Sequence, residues 1–286
     1  MKNKPAIFFV DTNKNKFSFN PLLGAIETDS FLKQLPVYLK GHATLRPAID
    51  KVVDSHSLTI VCFSFVSTQL NEISHQISEL KANFGKKILS VCGGAHPTGD
   101  PQGALRMGFD FVVIGEGEEI FSDLLKCILN GEEPGTVKGI AYFDKNGKYY
   151  FTGRRPPPDL EKFLPISPYF KRFGPIDVTR GCPFACGFCQ TSQISGIKPR
   201  HRSIRQIVKC IDEFVKRKLL DVRFLSPNAF SYGSIDGKMA NPDKIEEMLF
   251  SSRKANPDGR LYFGSFPSEV RPEFVNKDTV NLLLKY

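Results

Sequence analysis

No stretch of this sequence approaches the roughly 18 consecutive apolar residues that a membrane helix needs, so no spanning helix is predicted. The start, MKNKPAIFFV, is basic, but Asp11 ends its apolar run sooner than the about 7 to 15 residues of a signal-peptide core. With no export signal, an odd number of cysteines, seven, argues against a disulfide framework and leaves metal binding, redox chemistry or buried packing. Charge of one sign is also scarce: 39 Lys and Arg stand against 30 Asp and Glu, a net +9, and charged residues make up only 24%. Such a chain is neither disordered nor a mini-protein; it reads as a cytoplasmic globular protein. At roughly 100 to 200 residues per domain, its length suggests about two domains.

The positive excess is uneven, because residues 176–286 hold 18 basic and 12 acidic side chains. Much of it comes from Lys198-Pro-Arg-His-Arg-Ser-Ile-Arg205, which reads first as a solvated helix start and second as a contact for a nucleic acid or an anionic cofactor. No interleaved aromatic platform accompanies the run, so a nucleic-acid partner is not expected.

Apolar runs rich in β-branched and aromatic residues at 5–10, 58–66, 87–92 and 109–114 predict buried parallel strands. Between them, 69–84 sets Leu70, Ile73, Ile77, Leu80 and Phe84 on one helical face before Gly85. Residues 118–130 do the same with Ile120, Leu124, Leu125 and Ile128 before Gly131. This alternation predicts a doubly wound, Rossmann-like α/β domain over residues 1–135, with ligands beyond the carboxyl ends of its strands. The loops at those ends are Ser64–Thr68, Gly93-Gly-Ala-His96-Pro-Thr98 and Gly115-Glu-Gly-Glu118, whose glycines permit close approach to the backbone. Residues 136–174 read as a hairpin about Asn146-Gly147 followed by a Pro-rich linker.

From 175 a second series begins: a strand over 175–180, a helix over 203–218 capped by Ser203, a strand over 221–225, a helix over 242–254, a strand over 260–265 and a helix from Asn276 or Lys277. Three βα units make a partial (β/α) barrel over 175–286. Because an unpaired parallel edge is a poor place for a domain to stop, the chain is expected to be a fragment of a longer protein or a truncated gene product.

Cys62, Cys92, Cys127 and Cys210 stand alone in apolar surroundings and read as core residues. Cys182-Pro-Phe-Ala-Cys186-Gly-Phe-Cys189 is different: three thiols in the loop after a barrel strand can ligate three irons of a 4Fe-4S cluster and leave the fourth iron open. A zinc knuckle would want a fourth ligand, and His201 is the only candidate.

The CxxxCxxC loop, with an aromatic before its last cysteine, resembles the radical S-adenosylmethionine (SAM) superfamily. The resemblance implies that Cys182, Cys186 and Cys189 hold the cluster and that the methionine part of SAM chelates the open iron. It also implies that reductive cleavage gives a 5′-deoxyadenosyl radical, with Phe188 beside the adenine and a ferredoxin or flavodoxin supplying the electron. Where the family has Gly-Gly-Glu, this sequence has Ser226-Pro-Asn-Ala-Phe230, so Asn228 is the candidate ligand for the methionine moiety; Ser268 and Arg271, after the third strand, are candidates for the ribose and carboxylate. The later barrel strands of the family are absent.

The first domain resembles the cobalamin-binding domain found upstream of one large radical SAM class. By that resemblance Ser64, Thr68, Gly93, Gly94, His96, Gly115, Glu116 and Gly117 surround the corrin and its nucleotide tail. His96 also has a plain reading, as a helix-start or core histidine. The Asp11-Thr-Asn-Lys-Asn15 loop lacks the Asp-x-His-x-x-Gly element that gives cobalt a lower ligand elsewhere, so no axial histidine is predicted. Together these features imply a cobalamin-dependent radical SAM enzyme, foremost a C-methyltransferase acting on an unactivated carbon. The alternatives are a non-methylating rearrangement or cyclisation, and an inactive cofactor-binding fragment. The substrate, whether peptide, lipid or small metabolite, is not encoded in what is present.

Overall fold

The computed structural model describes residues 4–11, 15–41 and 45–286. It divides into two compact units, the break falling between Pro158 and Asp159.

In the first unit a seven-stranded sheet has the order β2-β1-β3-β4-β5-β6-β7. Strands β1 (Ala6–Val10), β2 (Val37–Lys40), β3 (Thr59–Ser64), β4 (Ile88–Gly93) and β5 (Phe111–Val113) run parallel. β1 and β3 are buried along their whole lengths, which is why they read as unbroken apolar runs rather than alternating ones. Helices α2 (Leu45–Ser55) and α3 (Leu70–Phe84) cover one face through Ile49, Val52, Val53, Ile73, Ile77 and Leu80. α1 (Lys16–Thr28) and α6 (Gly117–Asn130) pack together beside β1, where Phe9 meets Phe19 and Phe121 at centroid distances of 4.8 and 5.9 Å.

Sequence periodicity missed α1, β2 and α2. α1 carries Pro21 and Gly24, both unfavourable inside a helix, and forms because Phe19, Leu23, Ala25 and Ile26 are buried. The hairpin, β6 (Ile140–Phe143) and β7 (Tyr149–Phe151), turns at Asn146-Gly147 as predicted, but it is not part of a linker. β6 pairs antiparallel with β5 and so extends the main sheet.

In the second unit, β8 (Ile176–Asp177), β11 (Asp221–Leu225) and β12 (Arg260–Tyr262) form a parallel sheet of order β12-β11-β8. The strand expected over 175–180 is interrupted at Val178, whose N–H bonds to Leu225 O and whose carbonyl accepts from Arg202 N–H. The chain then changes partners, and β9 (Thr179–Arg180) pairs antiparallel with β10 (Arg200–His201). Helices α8 (Ile204–Val215), α9 (Pro242–Ala255) and α10 (Lys277–Leu283) follow the three strands. α8 stops short of residue 218, and Lys218 lies in the left-handed region at φ 57° just beyond it. The core comprises Ile176, Val178, Ile207, Ile211, Val222, Phe224, Ile245 and Met248 among others. Among the described residues no helix is long and apolar enough to cross a membrane.

Candidate cofactor sites

In the first unit the predicted residues gather at the carboxyl ends of β3, β4 and β5. Ser64 and Gly93 are the last residues of neighbouring strands and stand side by side in the register. Phe65 N–H bonds to Gly93 O at 3.3 Å, and His96 N–H bonds to Phe65 O at 3.2 Å, which ties the two loops together. Gly94 has φ 97°, and a Cβ there would lie 2.8 Å from Ser64 Oγ and 3.1 Å from the backbone of Phe65. Only glycine suits that position, on both counts. His96 sits in the short helix α4 (Ala95–Gly99), half-buried, stacked on Phe65 at 5.4 Å, with Nδ1 3.0 Å from Ser67 Oγ. Thr68 is exposed in the neighbouring turn.

The third loop joins them through Gly115, whose N–H bonds to Thr98 Oγ1 at 3.1 Å; Glu116 immediately precedes α6 and Gly117 begins it. Thr98, Ser67 and Asn15 were not singled out by sequence reasoning. Asn15 is buried, and its Nδ2 donates to Val10 O at 2.9 Å and Ser64 O at 3.3 Å. It therefore links β1 to β3 where the strand order reverses, the place at which open α/β sheets take ligands. Residues 12–14 of the same loop lie outside the described residues.

In the second unit the cysteine loop leaves β9 through Gly181, at φ 86°, and is anchored by Cys182 N–H to Gly196 O at 3.0 Å. Cys189 N–H closes a turn on Cys186 O at 2.9 Å, and the Cys189 thiol donates to Thr191 Oγ1 at 3.3 Å. All three thiols are free of disulfides and partly exposed, whereas Cys62, Cys92, Cys127 and Cys210 are buried. Burial pushes the Cys62 and Cys92 thiols well up and that of Cys210 to about 12, which leaves these groups protonated and inert. Phe188, between the last two loop cysteines, is 93% exposed.

The loops after β11 and β12 reach the cysteine loop. Asn228 is buried, its Oδ1 accepts Arg271 N–H at 3.4 Å, and its Nδ2 has no hydrogen-bond partner among the described residues. The Arg271 guanidinium lies 3.6 Å over the Phe184 ring and is paired with Glu273 at 2.5 Å. Asn228, Arg271 and the cysteine loop thus come together, with Phe184 and Glu273 as members that sequence reasoning missed. Ser268 is buried and donates to Phe224 O at 2.8 Å, so its hydroxyl proton closes the loop onto β11.

Beneath the cysteine loop, Asp177 accepts from Arg180 Nε at 2.5 Å and from Arg202 Nη2 at 2.8 Å. Arg202 is also buried and donates to the carbonyls of Asp177, Leu160 and Phe163. Burial raises the Asp177 carboxyl, but the two guanidinium groups outweigh it and hold the group below the usual carboxylate range. The basic run therefore is not a uniformly solvated helix start. Arg202 lies in the core, and His201 is fixed between Thr179 Oγ1 at 3.0 Å and Ser234 O at 2.8 Å.

Among the described residues no group of three His, Cys, Asp or Glu side chains is drawn together to hold one metal ion. An iron-sulfur cluster makes a different demand, one thiolate for each iron, so its ligands need not converge on a point. Three free thiols on one loop are a donor set that fits it.

Residues 32–125 match the family described as the B12 binding domain, and residues 176–285 match the radical SAM superfamily. An uncharacterized methyltransferase of Pyrococcus horikoshii is 28% identical over 174 residues, covering 56% of this chain and 38% of that protein. The radical SAM methyltransferase TsrM from Kitasatospora setae, solved with cobalamin and a [4Fe-4S] cluster, has the same fold at 15% identity. Its TM-score is 0.68 over 99% of this chain and 57% of that one. The cobalamin-dependent SAM radical enzyme OxsB, solved with aqua-cobalamin, is similar at 16% identity and a TM-score of 0.69, over 99% of this chain and 42% of that one. The chain spans well under two thirds of the length of each. One polypeptide thus carries, in this order, a match to the B12 binding domain and a match to the radical SAM superfamily.

Proposed function

We propose that this chain is the cofactor-binding part of a cobalamin-dependent radical SAM methyltransferase, and that the carbon methylated is unactivated. The observation that carries the reading is the cysteine loop at the carboxyl ends of β8 and β9, joined there by Asn228 and Arg271, on the same polypeptide as a glycine-lined sheet edge in the B12-binding domain. Cys182, Cys186 and Cys189 would hold the cluster, and Asn228 would offer its buried amide N–H to the methionine part of SAM. Ser268 and Arg271 lie on the loop beside it, and Phe188 is free to cover the adenine. Ser64, Thr68, Gly93, Gly94, His96, Gly115, Glu116 and Gly117 would surround the corrin and its tail. When bound, the cluster supplies the electron that cleaves SAM and the corrin carries the methyl group. What the chain itself does is hold and orient: the glycine at 94 admits the ligand to the backbone, and the buried Asn228 excludes water from the methionine end. The sequence Asp11-Thr-Asn-Lys-Asn15 offers no histidine that would hold the metal of a bound corrin, which favours the finer reading.

Anaerobic reconstitution with iron, sulfide and hydroxocobalamin tests it. We expect about four irons per chain, corrin retained on a sizing column, and 5′-deoxyadenosine formed from SAM on reduction; methyl-labelled SAM with candidate substrates then reports methylation. Iron without corrin removes the methyl-transfer reading, and neither cofactor overturns the whole.

A further inference from the structure

We propose that Arg223 is an anchor for an oxyanion of the substrate, so that the methyl acceptor carries a phosphate or carboxylate group; this deepens the reading above and rests on it. The argument starts from the two faces of the second sheet. On β11, Val222 and Phe224 are fully buried in the core shared with α8 and α9, so Asp221, Arg223 and Leu225 point to the opposite face. On β12, Leu261 packs against the same core, which turns Arg260 and Tyr262 the other way as well. The register on that second face sets Asp221 beside Arg260 and Arg223 beside Tyr262. Opposite charges at facing positions answer one another, so Asp221 has its cation. Asp177 of β8, level with Leu225, is already taken by Arg180 and Arg202. Arg223 is left beside a ring instead of a carboxylate, and among the described residues it forms no ion pair.

Two contacts hold the guanidinium without neutralising it. Its central carbon lies 3.8 Å from the centroid of the Tyr262 ring, and Nη1 donates to Phe266 O at 3.3 Å. Phe266 belongs to the loop after β12, which also carries Ser268, so the fork reaches from the strand to the carboxyl ends where ligands of such folds sit. Asn228 and the rest of the candidate SAM loop begin there, directly after β11. Two other arginines of this unit lie on aromatic rings, Arg217 on Phe173 and Arg271 on Phe184, and each also has a carboxylate, Glu213 and Glu273 respectively. Arg223 has the ring and lacks the acid. A planar fork that is stacked, always charged and only partly engaged matches the two oxygens of a carboxylate or phosphate, and its prior ordering lowers the entropy lost on binding.

Inorganic phosphate is the probe, titrated into the purified chain in phosphate-free buffer and followed by the width of its phosphorus resonance. Wild-type protein is expected to bind it, R223Q to bind it about tenfold more weakly, as loss of a charged hydrogen-bonding partner implies, and R223K to fall between them. R217Q, which removes a stacked arginine that has its own glutamate, keeps wild-type binding. Equal binding by wild type and R223Q overturns the inference, as does an equal loss in R217Q, which would make the effect one of overall charge. If R223Q fails to fold, wild-type protein decides: phenylglyoxal labelling of Arg223, read by mass spectrometry, is expected to slow in the presence of phosphate, and no protection overturns the inference. The other source of a carboxylate is SAM itself. SAM affinity measured on the reconstituted protein is expected to be unchanged in R223Q, and its loss together with phosphate binding assigns the anchor to SAM and overturns the substrate class. Phosphate binding is read before any cofactor is added, so a chain that binds phosphate and takes up neither iron nor corrin overturns the proposed function, while one that takes up both and binds no phosphate overturns only this inference.

Discussion

At the scale of single residues, Asp177 is a buried carboxylate between two arginines. Its carboxyl is held below its unfolded value of about 3.9 by Arg180 and Arg202, so it contributes stability above that pH and loses it as pH falls through the lower, folded value. In D177N the buried Arg202 keeps its charge and loses its counter-ion, and a cost of about 3 to 5 kcal/mol in urea unfolding near neutral pH is expected. The variant should also show a flatter stability profile below about pH 4; a profile as steep as that of the wild type would assign the acid sensitivity to other carboxylates. Gly94 is the matching case in the first unit. G94A strains a backbone at φ 97° and drives a methyl group against Ser64 Oγ and Phe65, so weakened corrin retention, measured by absorbance after gel filtration, is the expected result.

At the scale of elements, α8 is the helix whose start is most firmly held. Ser203 Oγ accepts from Gln206 N–H at 3.2 Å and donates to Glu161 Oε2 at 2.6 Å, while Ser203 N–H bonds to Glu161 Oε1 at 2.8 Å. Sequence pattern identified the cap; only the fold brought Glu161 to it from 42 positions away. Replacing Ser203 with alanine is expected to cost about 1 kcal/mol, read from the denaturation midpoint, and more if the Glu161 contacts are lost with it. The N-terminal sheet makes a different point. β6 and β7 extend it beyond β5, so the Asn146-Gly147 turn belongs to an element of the first core and not to a connecting segment.

At the scale of the whole molecule, the two candidate cofactor sites lie in different compact units, each with its own strands and its own core. Their losses should therefore separate. C186A is expected to lose the iron-sulfur absorbance and keep its corrin with the fold unchanged by circular dichroism, while G94A loses corrin and keeps about four irons. Loss of both cofactors from either variant would mean that the sites depend on one another.

Local rules settled a good deal of this in advance. β-branched runs bounded by Gly and Asp located β1, β3, β4 and β5; three- and four-residue apolar spacing located α3 and α6; and the loops at Ser64, Gly93 and Gly115 were placed at the carboxyl ends of strands, where they lie. All of these signals depend on neighbours close in the chain, and such neighbours are visible in a string of letters. Hidden from it were α1, with Pro21 and Gly24 inside, the edge strand β2, the docking of the hairpin onto β5, and the burial of Arg202 within a run that reads as a solvated surface. Each follows from contacts between distant segments, where apolar burial or a buried counter-ion outweighs local propensity. The same holds at the cysteine loop. Its three cysteines were legible in the sequence alone, but Arg271 and Glu273 meet its Phe184 only because the carboxyl ends of separate parallel strands meet at one edge of the sheet.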